Sequence, residues 1–345
     1  KNKYTKIEVF LLVEINKLNI IIDAMGGDFA PEEILKGAIG AANQSNIELT
    51  LVGNEEHIRN TASKLSLELK NINIINATDI ILMDDSPSEV LKYKKNSSIY
   101  IGTDLASKLY PSAFLSAGNT GASMACSLFN MKKISGVLRP AIAIVIPLGE
   151  KKFILIDGGA NTEIKPQYLL QFAIMGKVYS RDIFGISDPK IGLLNVGVEE
   201  KKGNEITIEG YKLLKDSNLN FVGNVEGRDI FEGKTDVVVC DGFIGNILLK
   251  SIEGMAGFFL NEIKKVLSTN FITKVSSLFL KKYLRSMKKQ FDYEEYGGAL
   301  LLGVNGISII SHGSSKAKAI KNAVKLAVES LNKNIIEKIS LEISS

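Results

Sequence analysis

Histidine is almost missing from this chain: His57 and His312 are the only two in 345 residues. That excludes a His-rich metal centre, and with no G-x-S-x-G turn it argues against a Ser–His–Asp triad. Cysteine is just as scarce. Cys126 in MACSLF and Cys240 in VVVCD sit among apolar neighbours, which offers no disulfide framework or zinc spacing and predicts a reducing, cytoplasmic compartment. No run of 18 uncharged apolar residues occurs, so no membrane span is expected. Nucleotide fingerprints are also absent. There is no G-x-G-x-x-G, and the stretch from Gly227 to Gly233-Lys234-Thr235 has five residues between its glycines where a P-loop has four. Neither a cofactor nor a metal is expected.

What the chain does have is apolar substance: 45% hydrophobic residues, a mean hydropathy of +0.11 and 23% charge, enough for a large core and unlike a disordered chain. Its organising stretch runs from Asp236 to Gly254 (DVVVCDGFIGNILLKSIEG). Val237 to Cys240 reads as a strand buried on both faces, Asp241-Gly242 breaks it, and Ile247, Leu248, Ile252 and Met255 follow at helical spacing. Strand, glycine loop and helix start together aim backbone N–H groups at the sheet edge.

Four more strands end the same way. Asp23-Ala-Met-Gly-Gly-Asp28 follows Asn19–Ile22, and Ser116-Ala-Gly-Asn-Thr-Gly121 follows Ala113–Leu115. Asp157-Gly-Gly-Ala-Asn161 follows Phe153–Ile156, and Asn195-Val-Gly197 follows Ile191–Leu194. Five such loops predict a polar rim along one carboxyl edge, where open α/β sheets bind ligands. The domain is expected over 18–333, after an extension at 1–17 that lacks a signal-peptide cleavage pattern and before a tail at 334–345.

The segment from Phe258 to Phe291 departs from the rest. It holds eight basic residues against Glu262 alone, a charge of +7 in a chain of +4. Ile272, Val275, Phe279, Tyr283 and Met287 share one helical face, with Lys274, Lys281, Arg285 and Lys288 opposite and Lys282 beside them. A basic amphipathic helical hairpin of this kind reads as lying on an anionic membrane surface, the alternative being a helix packed on the domain or across a dimer. With the charge confined to one apolar-faced segment and no recognition motif, nucleic acid is not an expected partner.

By this point the motifs carry a resemblance. DAMGGD, SAGNTGA, RPA (Arg139–Ala141), GAN (Gly159–Asn161), LLNVG with EEKKGN (Leu193–Asn204), GNVEGRD (Gly223–Asp229), DGFIGN, and YGGA with LLGVNG and SHGSS stand in order between Ile20 and Leu331. The chain resembles the bacterial phosphate acyltransferases of phospholipid synthesis (the PlsX type), departing from the usual pattern at Lys92, Gly158 and Leu300. That resemblance implies transfer of a long fatty acyl group from acyl carrier protein to inorganic phosphate. It also implies a homodimer with a three-layer αβα fold, similar to isocitrate and isopropylmalate dehydrogenases, and peripheral association with the inner face of the membrane. The membrane glycerol-3-phosphate acyltransferase would use the acyl phosphate. An acyl-CoA-using enzyme like the phosphotransacetylases, or a non-catalytic membrane-bound scaffold, are the rival readings; the missing fingerprint disfavours a nicotinamide dehydrogenase.

Phosphate is itself a nucleophile, so the scarcity of histidine fits this chemistry. The roles expected are these. Lys202 orients or activates phosphate with Asn204 nearby, and Asn246 and Asn224 polarise the thioester carbonyl. Gly26, Gly27, Asn119, Thr120 and Asn161 line the pocket, while Asp23, Asp28 and Asp241 orient loops and lysines, with helix capping as the plainer alternative. His312 is either an acid for the leaving thiol or a packed loop residue. Cys240 is not expected to carry acyl, since nothing beside it would lower its pKa.

Overall fold

The computed structural model describes residues 17–42, 46–149, 151–269 and 293–344, with Thr273, Leu280 and Lys282 between. Lys274, Phe279, Lys281 and Arg285, and so most of the expected basic hairpin, lie outside the described residues, as does the extension before Lys17.

Strands β1 (Leu18–Asp23), β2 (Ile47–Gly53) and β3 (Ile72–Asn76) alternate with helices α1 (Glu32–Ala42) and α2 (Glu55–Lys64). Helices α3 (Pro87–Tyr93) and α4 (Ser98–Lys108) then precede β4 (Ser112–Ser116) and α5 (Thr120–Met131). The hairpin strands β5 (Ala141–Leu148) and β6 (Lys151–Ile156) come next, followed by α6 (Pro166–Phe184), β7 (Ile191–Leu194), α7 (Glu205–Lys215) and β8 (Phe221–Val225). The three-residue β9 (Val237–Val239) feeds the 26-residue α8 (Gly242–Leu267). Strands β10 (Ala299–Leu302) and β11 (Ile307–Ile310) precede α9 (Ala317–Asn332) and α10 (Ile335–Ser344).

All these strands join one mostly parallel sheet in the order β3-β2-β1-β4-β11-β10-β5-β6-β9-β7-β8. Three successive pairings are antiparallel: β11 with β10, β10 with β5, and β5 with β6. An odd number of reversals leaves β6, β9, β7 and β8 running against β3, β2, β1, β4 and β11. The polar loops therefore do not share one carboxyl edge. Those after β1, β4 and β11 stand at one edge, and those after β6, β7, β8 and β9 at the other. Strand β5 joins the two halves: Ala143 pairs with Leu300 on one side and with Ile156 on the other.

The alternation of a strand assigns each side chain to a face. Ile20 and Ile22 of β1, with Ala141, Ala143 and Val145 of β5, join the core beneath α1, α6, α9 and α10. Ile21 and Ile142 enter the opposite core with α4 and α5, and Ile146 packs with Leu155, Val238 and residues of α8. Helices thus cover both faces of the sheet.

The expected tail is instead the helix α10. Ile335 and Ile339, one turn apart, are buried, and Glu342 pairs with Lys177 at 3.0 Å and with Arg181. Lys338 adds a 2.6 Å bridge to Asp182. Helix α8 is long and apolar enough to cross a bilayer by length and composition, at a mean hydropathy of 1.3 over 18 residues of which 6% are buried. The stricter test of an uncharged run fails at Lys250 and Glu253. One side of α8 faces the protein.

Candidate active site

Two buried aspartates build the two loop systems. Asp23 closes β1 and accepts from the backbone N–H groups of Met25 and Gly26, at 3.0 and 3.1 Å, and from Ser116 Oγ at 2.7 Å. Burial pushes its carboxyl above the usual range, against those bonds. Gly26 lies so near the SAGNTG loop that a Cβ would stand 2.7 Å from the Gly118 nitrogen. Asp28, exposed at the end of its loop, donates its N–H to the Gly313 carbonyl at 2.8 Å, tying in the SHGSS loop, and Gly27 supplies a φ of +107°.

Asp157 does the same work at the opposite edge. Its Oδ1 accepts from the N–H groups of Ile142, Gly159 and Ala160, and its Oδ2 from the N–H and the side-chain amide of Asn161. Burial raises its carboxyl as well, opposed by these five donors. The start of α8 then seats on this loop. Gly242 donates to the Asn161 carbonyl at 2.8 Å, and a Cβ on Gly242 would lie 2.7 Å from the Asn161 nitrogen. The glycines of DGFIGN let helix and loop touch.

Between the two edges runs a groove of about 970 Å³. Its floor is β5 and β10, one wall is α5 through Thr120, Met124 and Leu128, and the other is α8 from Asn246 to Leu260. Gly159, Ala160, Asn161, Arg139 and Pro140 close one end with Asn246, and Ser311 and His312 reach in from the other edge. Most of the lining is apolar, with polar groups at its ends and Lys250 and Glu253 partway along the α8 wall, the usual make-up of a small-molecule site.

Of the residues expected at the site, Thr120, Asn161, Asn246 and His312 line this groove. Asn246 is exposed, and no described group hydrogen-bonds its amide. Asn161 is different: Nδ2 donates to the Pro140 carbonyl at 2.7 Å and to Asp157 at 2.8 Å, so it shapes the loop and has no amide proton left for a substrate oxygen. His312 Nδ1 accepts from the Ser314 N–H at 3.2 Å, a local loop contact.

Others do not reach it. Asn119 caps α5 by accepting from the Ala122 N–H, while its Nδ2 donates to the carbonyls of Leu82, Met83 and Asp85. It latches the 79–86 loop and is 8% exposed, so it does not line the pocket. Asp241 caps α8 through the Ile244 N–H, and Asn204 caps α7 through Thr207, worth about 1 kcal/mol each. Asn224 is 6% exposed on β8 and donates to the Glu199 carbonyl, out of reach of a thioester in the groove. Lys202 is exposed on the loop after β7, at the same edge as Asn246 but not among the residues that line the groove. Cys240 is fully buried with its thiol against the Asp157 carbonyl, and burial drives its pKa up, which removes it as a nucleophile.

The sequence reading missed Arg139. It is exposed, lines the groove at the Asn246 end, and makes no ion pair among the described residues. Its RPA motif was legible; its place was not, because only the β5–β6 pairing brings Pro140 to Asn161.

The chain matches the fatty acid synthesis protein family over residues 18–338. It is 48% identical over 330 residues to a phosphate acyltransferase of Halothermothrix orenii, covering 95% of this chain and 99% of that one. A phosphate acyltransferase of Pelotomaculum thermopropionicum is likewise 48% identical, covering 95% and 96%. The chain belongs to the phosphate acyltransferase family. The resemblance carried by its motifs is thus borne out, and the chain is a transferase. Among solved structures it is similar to the EutD phosphotransacetylase from Staphylococcus aureus, with a TM-score of 0.60 at 19% identity over 91% of this chain and 94% of that one. A phosphotransacetylase from Streptococcus pyogenes also scores 0.60, at 18% identity and 95% of each chain. Identity this low speaks for a shared fold.

Proposed function

We propose that this chain transfers a long-chain fatty acyl group from acyl carrier protein to inorganic phosphate, giving acyl phosphate for glycerol-3-phosphate acylation. The observation that carries the reading is an amide, Asn246, and a cation, Arg139, neither with a partner among the described residues, both lining one end of a long, mostly apolar groove. A phosphate oxygen attacks the thioester carbonyl carbon, and the oxyanion that develops takes a hydrogen bond from the Asn246 amide. The C–S bond then breaks, and the carrier thiolate leaves and takes a proton from water. Arg139 offers phosphate a planar pair of donors, and Lys202 adds positive charge from the neighbouring loop. Asp23, Asp157, Asn119 and Asp241 act at one remove, holding the loops.

The outward side of α8 supports a homodimer: Phe243, Ile244, Ile247, Met255, Phe258 and Phe259 are exposed along it. The charge of 258–291 supports peripheral binding to the inner face of the membrane, near the membrane glycerol-3-phosphate acyltransferase, by a cytoplasmic protein. Reversing Lys281, Lys282, Lys288 and Lys289 to Glu should lower binding to anionic liposomes. Kinship to the isocitrate dehydrogenase fold belongs to the same reading.

The deciding experiment incubates the protein with palmitoyl–acyl carrier protein, with and without phosphate, and traps product with hydroxylamine. Phosphate-dependent thiol release with acyl hydroxamate supports the assignment. Release without phosphate would make it a thioesterase, and a preference for palmitoyl-CoA would favour the phosphotransacetylase-like reading.

A further inference from the structure

The acyl-transfer reading leaves open what limits the chain, and the groove answers it with two small residues on α8. Helix α8 and strand β5 leave the Asn246 end together. Gly257 stands eleven residues beyond Asn246, about 16 Å along the helix. From Ile142 to Pro147, β5 covers about 17 Å, and both Gly257 and Pro147 line the groove. Thus the cavity persists that far from the amide.

Most side chains along this path are bulky: Met124, Leu128, Ile144, Leu249, Ile252 and Leu260. At Ala256 and Gly257 the α8 wall is made of the two smallest side chains it presents to the groove. No described atom lies within 4 Å of where a Gly257 Cβ would stand. Glycine inside a helix sacrifices stability relative to alanine, so the open space has a standing cost. Gly254, one turn earlier, is equally open, yet it does not line the groove. The two glycines differ only in what they face.

We propose that Gly257, with Ala256, sets the longest acyl chain this enzyme accepts, by keeping the end of the groove remote from Asn246 open to the terminal methylenes. A large side chain at Gly257 starts from a Cβ position with open space around it and extends along the groove that Gly257 lines. At Gly254 the same side chain projects elsewhere.

The test compares the wild type with Gly257→Phe and Gly254→Phe on octanoyl-, lauroyl-, palmitoyl- and stearoyl–acyl carrier protein. In Gly257→Phe, kcat/KM for palmitoyl and stearoyl donors should fall by about tenfold or more, with octanoyl transfer unchanged and Gly254→Phe like the wild type. Equal profiles in Gly257→Phe and wild type, or equal losses in both variants, would overturn the proposal while leaving acyl transfer intact. Gly257→Leu, a better helix former, provides the same comparison should the phenylalanine variant fold poorly. Fluorescence of bound cis-parinaric acid reads the groove without turnover. Binding weakened about tenfold only by the Gly257 change supports the proposal even if no transfer to phosphate is found, and unchanged binding overturns it.

Discussion

Gly245 sits so close to Asp157 that a methyl group on its α-carbon would lie 1.9 Å from the Asp157 carbonyl oxygen. The contact fixes the first turn of α8, and with it Asn246, against the loop that also holds Asn161. Gly245→Ala should therefore destabilise the protein by about 1–3 kcal/mol through overpacking and lower turnover as Asn246 shifts. Urea unfolding alongside kinetics tests this; an alanine variant with wild-type midpoint and rate would show that the contact relaxes freely.

The two groove asparagines should separate cleanly. Asn246→Ala should leave the unfolding midpoint unchanged and lower kcat by about a hundredfold, as expected for losing one oxyanion donor. Asn161→Ala removes two hydrogen bonds that organise its loop, so its main effect should be on stability. A kcat near normal in Asn246→Ala would move the oxyanion donor elsewhere.

Phosphate saturation curves should discriminate between the two cations. Arg139→Ala should raise KM for phosphate by about tenfold, in keeping with the loss of a charge-assisted bond, and Lys202→Ala should raise it less. The reverse order would return the phosphate-orienting role to Lys202.

The docking of α10 should weaken in acid. Burial acts to raise the carboxyls of Asp182 and Glu342, yet hydrogen bonds from Lys338 and Arg181 to Asp182, and from Arg181 and Lys177 to Glu342, hold both below the usual range. A depressed folded pKa contributes stability above the unfolded value, about pH 4, which is lost as pH falls through the folded one. Partial exposure keeps the effect small. Hydrogen exchange of α10 amides should accelerate below about pH 4, relative to α9, once corrected for intrinsic rates; a constant ratio would count against these pairs.

How much of this was legible depended on how locally each feature is encoded. Val237 to Cys240 reads as a strand buried on both faces because its pattern is self-contained, and Val237–Val239 is such a strand. Asn119, Asp241 and Asn204 were harder, since an Asx before a helix looks the same as a cap or as a ligand; all three are caps. Helix α10 passed for a tail although Ile335 and Ile339 carried a helical spacing. The groove was out of reach for another reason. Its walls come from α5, β5 and α8, and the reversals at β10 and β5 that bring them together leave no mark on any single segment. Those reversals also place the polar loops at two edges instead of one.

Helix α8 is about 39 Å long and is gripped at its start, where glycines press it to the Asp157 loop. A rod pinned at one end moves most at the other. A tilt of about 5° would barely disturb Asn246, yet it would shift Gly257 by about 1.4 Å. A load on the apolar outer side of such a rod would therefore change the width of the groove at Gly257 more than the position of Asn246.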